Sequence, residues 1–243
     1  MKYEATLSTN GSLLDDDILS RIGFQRIRLT FDGNEIYHNQ LKQVRSFSYR
    51  QQMLLVEKIL REYSSNLEIR CNVCKENAGS VNELLNDLTS LADFSWERVR
   101  VCFARLRDEK NSDAFTELSQ SEFALARVEF LSTCHRLGMP LTLPSPASLP
   151  CEFGVGRAFC LGPGVKSRYC AEKVKQSSDG AKPRKYVARE HCKGCTVFPL
   201  CLGSCSMASG EQACIPERYA LVEELKAYVA ANDASGGAAE NCG

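Results

Sequence analysis

Apolar and polar positions repeat in blocks over the first 145 residues, with two distinct periods. Residues 26–31 alternate, with Ile27, Leu29 and Phe31 on one side and Arg28, Thr30 and Asp32 on the other. Residues 68–73 do the same, opposing Ile69, Cys71 and Val73 to Arg70, Asn72 and Cys74. A period of two with unlike faces predicts strands that are buried on one side only. Two further strands are predicted at residues 3–7 and 99–106, the first followed by a turn at Ser8-Thr9-Asn10-Gly11. Apolar residues at helical spacing predict helices over 15–22, 47–63, 81–91 and 115–137, the last closed by Gly138. A short strand at 141–143 and a Pro-rich linker at 144–150 end this half.

Strands alternating with helices of crossover length predict a parallel sheet flanked by helices. Strands buried on both faces read as continuous apolar runs, and these do not. Either the polar faces line the lumen of a barrel, near the strand ends where such barrels do chemistry, or they are the wet side of an edge. Periodicity alone leaves both open.

Charge removes some functions. The 243 residues hold 30 basic and 30 acidic side chains, so no global field points to nucleic acid or to a membrane surface. No apolar run reaches the 18 or so residues of a spanning helix. One stretch departs from neutrality: residues 157–193 carry ten Lys or Arg against Glu172, Asp179 and Glu190. Around Ser177-Ser178-Asp179-Gly180 this reads as a solvated loop. Its cations could also offset thiolate clusters or receive an acidic stretch of a peptide.

Cysteine changes the picture most. There are 13, and eight fall between residues 151 and 214. Cys192, Cys195, Cys201, Cys205 and Cys214 are spaced C-x2-C-x5-C-x3-C-x8-C, with Cys151, Cys160 and Cys170 upstream. Eight thiols are too many for one tetrahedral ion and suit two four-thiolate sites. Paired C-x-x-C spacings also read as zinc sites. A disulfide framework needs an oxidising compartment; no secretory signal is read at Met1, so a reducing cytoplasm is expected.

The C-x2-C-x5-C-x3-C run resembles the SPASM domain, the C-terminal extension of many radical S-adenosylmethionine (SAM) enzymes, which carries auxiliary [4Fe–4S] clusters. The resemblance implies that Cys192, Cys195, Cys201 and Cys214 hold one cluster, and Cys151, Cys160, Cys170 and Cys205 the other. Upstream, Ser8-Thr9-Asn10-Gly11-Ser12-Leu13-Leu14 resembles the third-strand segment of radical SAM maturases. Leu29-Thr30-Phe31-Asp32-Gly33 followed by His38 resembles the fourth, and Ile69-Arg70-Cys71-Asn72-Val73 with Glu76-Asn77 the fifth. The similarity runs from residue 3 to about residue 230. It implies a SAM-binding set of Thr30, Asp32, Lys42, Arg70 and Asn72. Thr30 would meet the amino-acid moiety of SAM. Lys42 stands where relatives carry an Arg, supplying a cation without a bidentate fork.

The fold class expected is therefore α/β, with a partial TIM-like radical SAM barrel at 1–145. A cysteine-rich SPASM-like domain with a short hairpin and a helix opened by Pro216 follows at 146–230, and a disordered tail at 231–243. Two departures from the family pattern are visible. No C-x3-C-x2-C triplet occurs, nor the second-strand "GGEP" segment, so the expectation is the downstream part of a split or truncated enzyme that does not cleave SAM alone. Where sulfatase-maturing relatives carry a general-base Asp after a SPASM cysteine, Ala171 follows Cys170, with Glu172 one residue on. The function expected is the iron–sulfur part of a peptide- or protein-modifying oxidoreductase, with a peptide or protein substrate and possible assembly with a separate SAM-binding chain. The alternatives are a non-catalytic partner of such a chain and a zinc-stabilised interaction module.

Overall fold

A computed structural model describes residues 5–42, 47–107, 114–139, 160–162, 165–168, 190–202 and 214–235. The chain forms two compact units, residues 1–141 with 229–243, and residues 142–228.

The first unit is built on a parallel sheet, β1 (Thr6–Thr9), β2 (Arg26–Phe31), β3 (Asn66–Val73) and β4 (Val99–Arg105), in that spatial order. Between the strands run α1 (Asp16–Ile22), α2 (Glu35–Lys42), α3 (Tyr49–Glu62) and α4 (Val81–Thr89), and α5 (Gln120–Arg136) follows β4. Parallel register puts Leu29 beside Ile69 and Val101, and Thr30 beside Arg70 and Cys102. One face is therefore apolar across neighbouring strands. It carries Ile27, Leu29, Phe31, Leu67, Ile69, Cys71 and Val73, and shares one core with Val56 and Ile59 of α3, Leu84, Leu85 and Leu88 of α4, and Phe123 and Phe130 of α5. Each such side chain contributes about 1.5–3 kcal/mol on burial. Helices cover this face, while Arg26, Arg28, Thr30, Arg70, Asn72 and Cys102 on the other remain partly exposed.

Local signals fix the helix ends. Ser48 and Gln51 form a reciprocal capping box at α3, and Ser119 with Glu122 forms another at α5. Gly138, at φ +95°, follows the end of α5 as expected.

Several boundaries depart from expectation. Among the described residues β1 runs over 6–9, past the expected end at Leu7, because Ser8 and Thr9, polar enough to read as a turn, pair with Arg28 and Leu29; residues 3–4 of the expected strand lie outside the described residues. The helix over 115–137 begins at its cap, Ser119. Helix α2, which buries only His38, is new. The possible strand at 141–143 lies outside the described residues.

In the second unit, β5 (Cys160–Gly162) and β6 (Val165–Arg168) pair antiparallel, as the hairpin expectation has it. A 3-10 turn at Glu190–Cys192 and the four-residue helix α6 (Phe198–Cys201) follow. Helix α7 (Glu217–Ser235), whose residues 217–228 belong to this unit, starts after Pro216 and kinks at Ala220, whose φ of −142° is non-helical. It continues to Ser235, so residues 231–235 are helical where a disordered tail is expected; residues 236–243 lie outside the described set.

Candidate functional site

The polar groups of the first unit gather at the C-terminal edge of β2 and β3. Asp32 is 4% exposed. Its Oδ1 accepts a hydrogen bond from Asn72 Nδ2 at 2.9 Å, and its Oδ2 lies 3.3 Å from Lys42 Nζ. Arg70 Nε donates to Asn72 Oδ1 at 3.1 Å. Thr30 is paired in register with Arg70, and Gln52 Nε2 donates to its carbonyl at 2.9 Å. Lys42, Asp32, Asn72 and Arg70 are thus joined by a chain of charge-assisted contacts, with Thr30 beside Arg70 in register.

Local folding explains the convergence. Gly33 turns the chain at φ +89°, and a Cβ there would lie 2.3 Å from Ser80 Oγ. Only glycine fits. Asn34 Oδ1 accepts from Tyr37 N at 3.2 Å and caps α2. The helix then places His38 inward and Lys42 one turn later over Asp32. His38 is 1% exposed and packs against Phe31 and Tyr49, with ring centroids 5.3 and 5.6 Å away. Its Nδ1 accepts from the Asp32 backbone N–H at 3.3 Å. Burial pushes the imidazole pKa down to about 4, against the raising influence of Asp32. The ring is therefore neutral, as an accepting Nδ1 requires. Asn77, fully buried, ties the next loop in: its Nδ2 donates to the Asn72 carbonyl and its Oδ1 accepts from Cys74 N, both at 2.9 Å.

A second cluster lies nearer the N-terminal end of the same face. Arg28 Nε meets Glu68 Oε1 at 2.7 Å, and Cys102 Sγ donates to that oxygen at 3.4 Å. Burial alone would raise the Glu68 pKa, but the hydrogen bond and charge of Arg28 outweigh it and hold the carboxyl low. Burial and the neighbouring Glu68 push Cys102 up to about 11, which keeps it a thiol. Alternation predicts that these residues share a face; it does not show that they pair. Asn77 was legible as part of the Glu76-Asn77 segment, whereas His38 gave no signal of its contact with Asp32.

The cysteine-rich unit is organised differently. Cys192 and Cys195 bracket a tight turn in which Cys195 N donates to the Cys192 carbonyl at 3.2 Å and Gly194 sits at φ +75°. Cys201 ends α6, and Cys214 Sγ accepts from Arg218 Nη1 at 2.8 Å. Cys192, Cys195, Cys201 and Cys214 are half-buried. Cys160 opens β5; Cys151, Cys170 and Cys205, with Ala171 and Glu172, lie outside the described residues. Thiol chemistry and a C-x-x-C turn suit a thiolate site. The placement does not close one: among the described residues, no three Cys, His, Asp or Glu side chains gather as metal ligands.

No protein-family model matches the chain. No curated protein matches it either. One solved structure does, "Native anSMEcpe with bound AdoMet", with a TM-score of 0.54 over 96% of this chain and 74% of that one, at 17% identity. At that identity the likeness is one of fold: the chain shares the α/β fold of that structure. Among the described residues, no helix is long and apolar enough to cross a membrane.

Proposed function

We propose that this chain is the iron–sulfur-binding part of a radical SAM/SPASM oxidoreductase that modifies a peptide or protein. The observation that carries the reading is the meeting of Asp32, Lys42, Asn72 and Arg70 beside Thr30 at the C-terminal edge of parallel strands. That edge is where α/β folds of this kind bind their ligands. The structural neighbour, named for its bound AdoMet, has the same fold.

On this reading the residues divide the work simply. Lys42 offers an ammonium to the SAM carboxylate. Asp32 and Asn72 hold that ammonium and the Arg70 guanidinium in position before the ligand arrives, so less ordering is lost on binding. His38, kept neutral by burial, fixes the Asp32 backbone. In the cysteine-rich unit, Cys192, Cys195, Cys201 and Cys214 are proposed as one ligand set and Cys151, Cys160, Cys170 and Cys205 as the other, on the strength of their spacing. Clusters held there would supply electron transfer, at potentials tuned by burial and by donors to sulfur such as Arg218. The described thiols do not themselves form a cage, so no reaction step is derived through one. Cleavage of SAM is assigned to no residue of this chain.

A zinc-stabilised module is the second reading, because the Cys192–Cys195 turn suits a zinc knuckle equally. Anaerobic reconstitution with iron and sulfide, followed by metal analysis, separates the two. About eight irons per chain are expected for two [4Fe–4S] clusters; zinc without iron would overturn the iron–sulfur reading. Incubating the reconstituted chain with SAM and reductant then asks whether it works alone. No 5′-deoxyadenosine is expected, and its formation would show a self-sufficient enzyme.

A further inference from the structure

The polar face of the sheet becomes one-signed once its internal pairs are counted. Arg26, Arg28, Arg70 and Arg100 stand on it, and Lys42 reaches in from α2, against two carboxylates, Asp32 and Glu68. Both carboxylates are buried and taken. Glu68 lies 2.7 Å from Arg28 and 4.0 Å from Arg26, and Asp32 is held by Lys42 and Asn72. Arg70 spends its Nε on the neutral amide of Asn72. Arg100 is exposed and has no ion pair among the described residues. Arg100 and the Nη groups of Arg70, on the adjacent strands β4 and β3, are therefore matched by no carboxylate among the described residues.

We propose that Arg70 and Arg100 form a docking surface for an acidic, extended peptide segment. The proposal rests on the reactive-face reading above and names the class of its substrate. Register makes the two residues diagonal neighbours, since Arg100 pairs with Glu68 and Arg70 with Cys102. Strand spacing and rise put their Cα atoms about 8 Å apart. An extended chain presents side chains i and i+2 on one side at about 7 Å, so acids at alternate positions match the pair. A guanidinium fork suits a carboxylate, which it can grip with two parallel hydrogen bonds. A nucleic acid fits less well, because none of the face residues named is aromatic and bases have nothing to stack on.

The test uses the full chain without reconstitution, so its failure is distinguishable from failure of the iron–sulfur reading, which metal analysis decides. The probe is a fluorescently labelled, acetylated hexaglutamate peptide, followed by anisotropy at low ionic strength. Binding that weakens with salt is expected for the wild type. R70Q/R100Q is expected to weaken it at least about tenfold, and R100Q alone about threefold, because each loses a charge-assisted contact. R100Q alters an exposed side chain, so its loss cannot be laid to misfolding, and circular dichroism of both variants checks this. Absence of wild-type binding would overturn the proposal. So would unchanged affinity in R70Q/R100Q, a loss produced instead by K173Q/K175Q in the basic stretch, or tighter binding of a single-stranded oligonucleotide than of the peptide.

Discussion

The edge of β2 and β3 and the cysteine-rich stretch both collect chemically active side chains, and they do so by opposite means. At the sheet edge, backbone pairing sets Thr30 beside Arg70, and a helix entered through Gly33 and Asn34 delivers Lys42 to Asp32. The supporting shell is dry: Phe31, His38 and Asn77 are fully or almost fully buried. That site is positioned by the same core that folds the unit. Around Cys192 to Cys201 the supports are a 3-10 turn and a four-residue helix, and Val197 is the one buried hydrophobic side chain in residues 190–202. Elements this short do not hold three sulfurs by packing alone; on the proposed reading, order there comes from what the sulfurs bind. A site built on strands is preorganised; one built on turns, on that reading, is completed by its ligand.

Matched truncations probe that contrast most strongly. Leu29→Ala empties a fully buried position against α3 and α4 and is expected to cost about 2–5 kcal/mol in denaturant unfolding. Leu200→Ala in α6, half-buried, is expected to cost less than about 1 kcal/mol without metal. Equal losses would erase the distinction.

Acid probes the preorganised side. The His38 pKa is depressed from its unfolded value near 6.5 to about 4, so the unfolded chain takes up a proton first. Stability is therefore complete above pH 6.5 and falls as pH drops from 6.5 toward 4, by on the order of 3 kcal/mol. The charged groups facing this ring, Asp32 and Lys42, pull in opposite directions. Urea melts of wild type and H38Q across that range are expected to converge at low pH, because the variant loses this dependence.

Asn72→Ala removes the amide shared by Asp32 and Arg70 and is expected to cost about 1–3 kcal/mol, since it strips a hydrogen bond from a buried carboxylate. Smallest is Ser119→Ala, which deletes the capping box of α5 for about 1 kcal/mol.

The same contrast governs what could be read in advance. β2 is where alternation puts it, at Arg26–Phe31, because alternating Arg and Thr with Ile, Leu and Phe has one stable arrangement on a one-sided sheet. α3 and α4 follow their apolar stripes to within a few residues. The capping box of α5, Ser119 with Glu122, was in the sequence and marks the true start. Helix α2 was invisible for a physical reason. Its sequence, EIYHNQLK, buries only His38 and exposes Ile36, so no apolar stripe announces it; its cap and the His38 contact hold it in place. Without α2, the closeness of Lys42 to Asp32 cannot be read from periodicity. Motif resemblance brought Thr30, Asp32, Lys42, Arg70 and Asn72 onto one candidate set, and long-range pairing supplied their contacts. Thiol spacing named the cysteines but carries no information on when their loops close.

Metal content of Cys195→Ser and Cys201→Ser chains, reconstituted anaerobically beside the wild type, tests the central claim most directly. Each variant is expected to lose about four irons per chain, with the β2–β3 edge still folded by circular dichroism. Iron content and solubility equal to the wild type in both would contradict it.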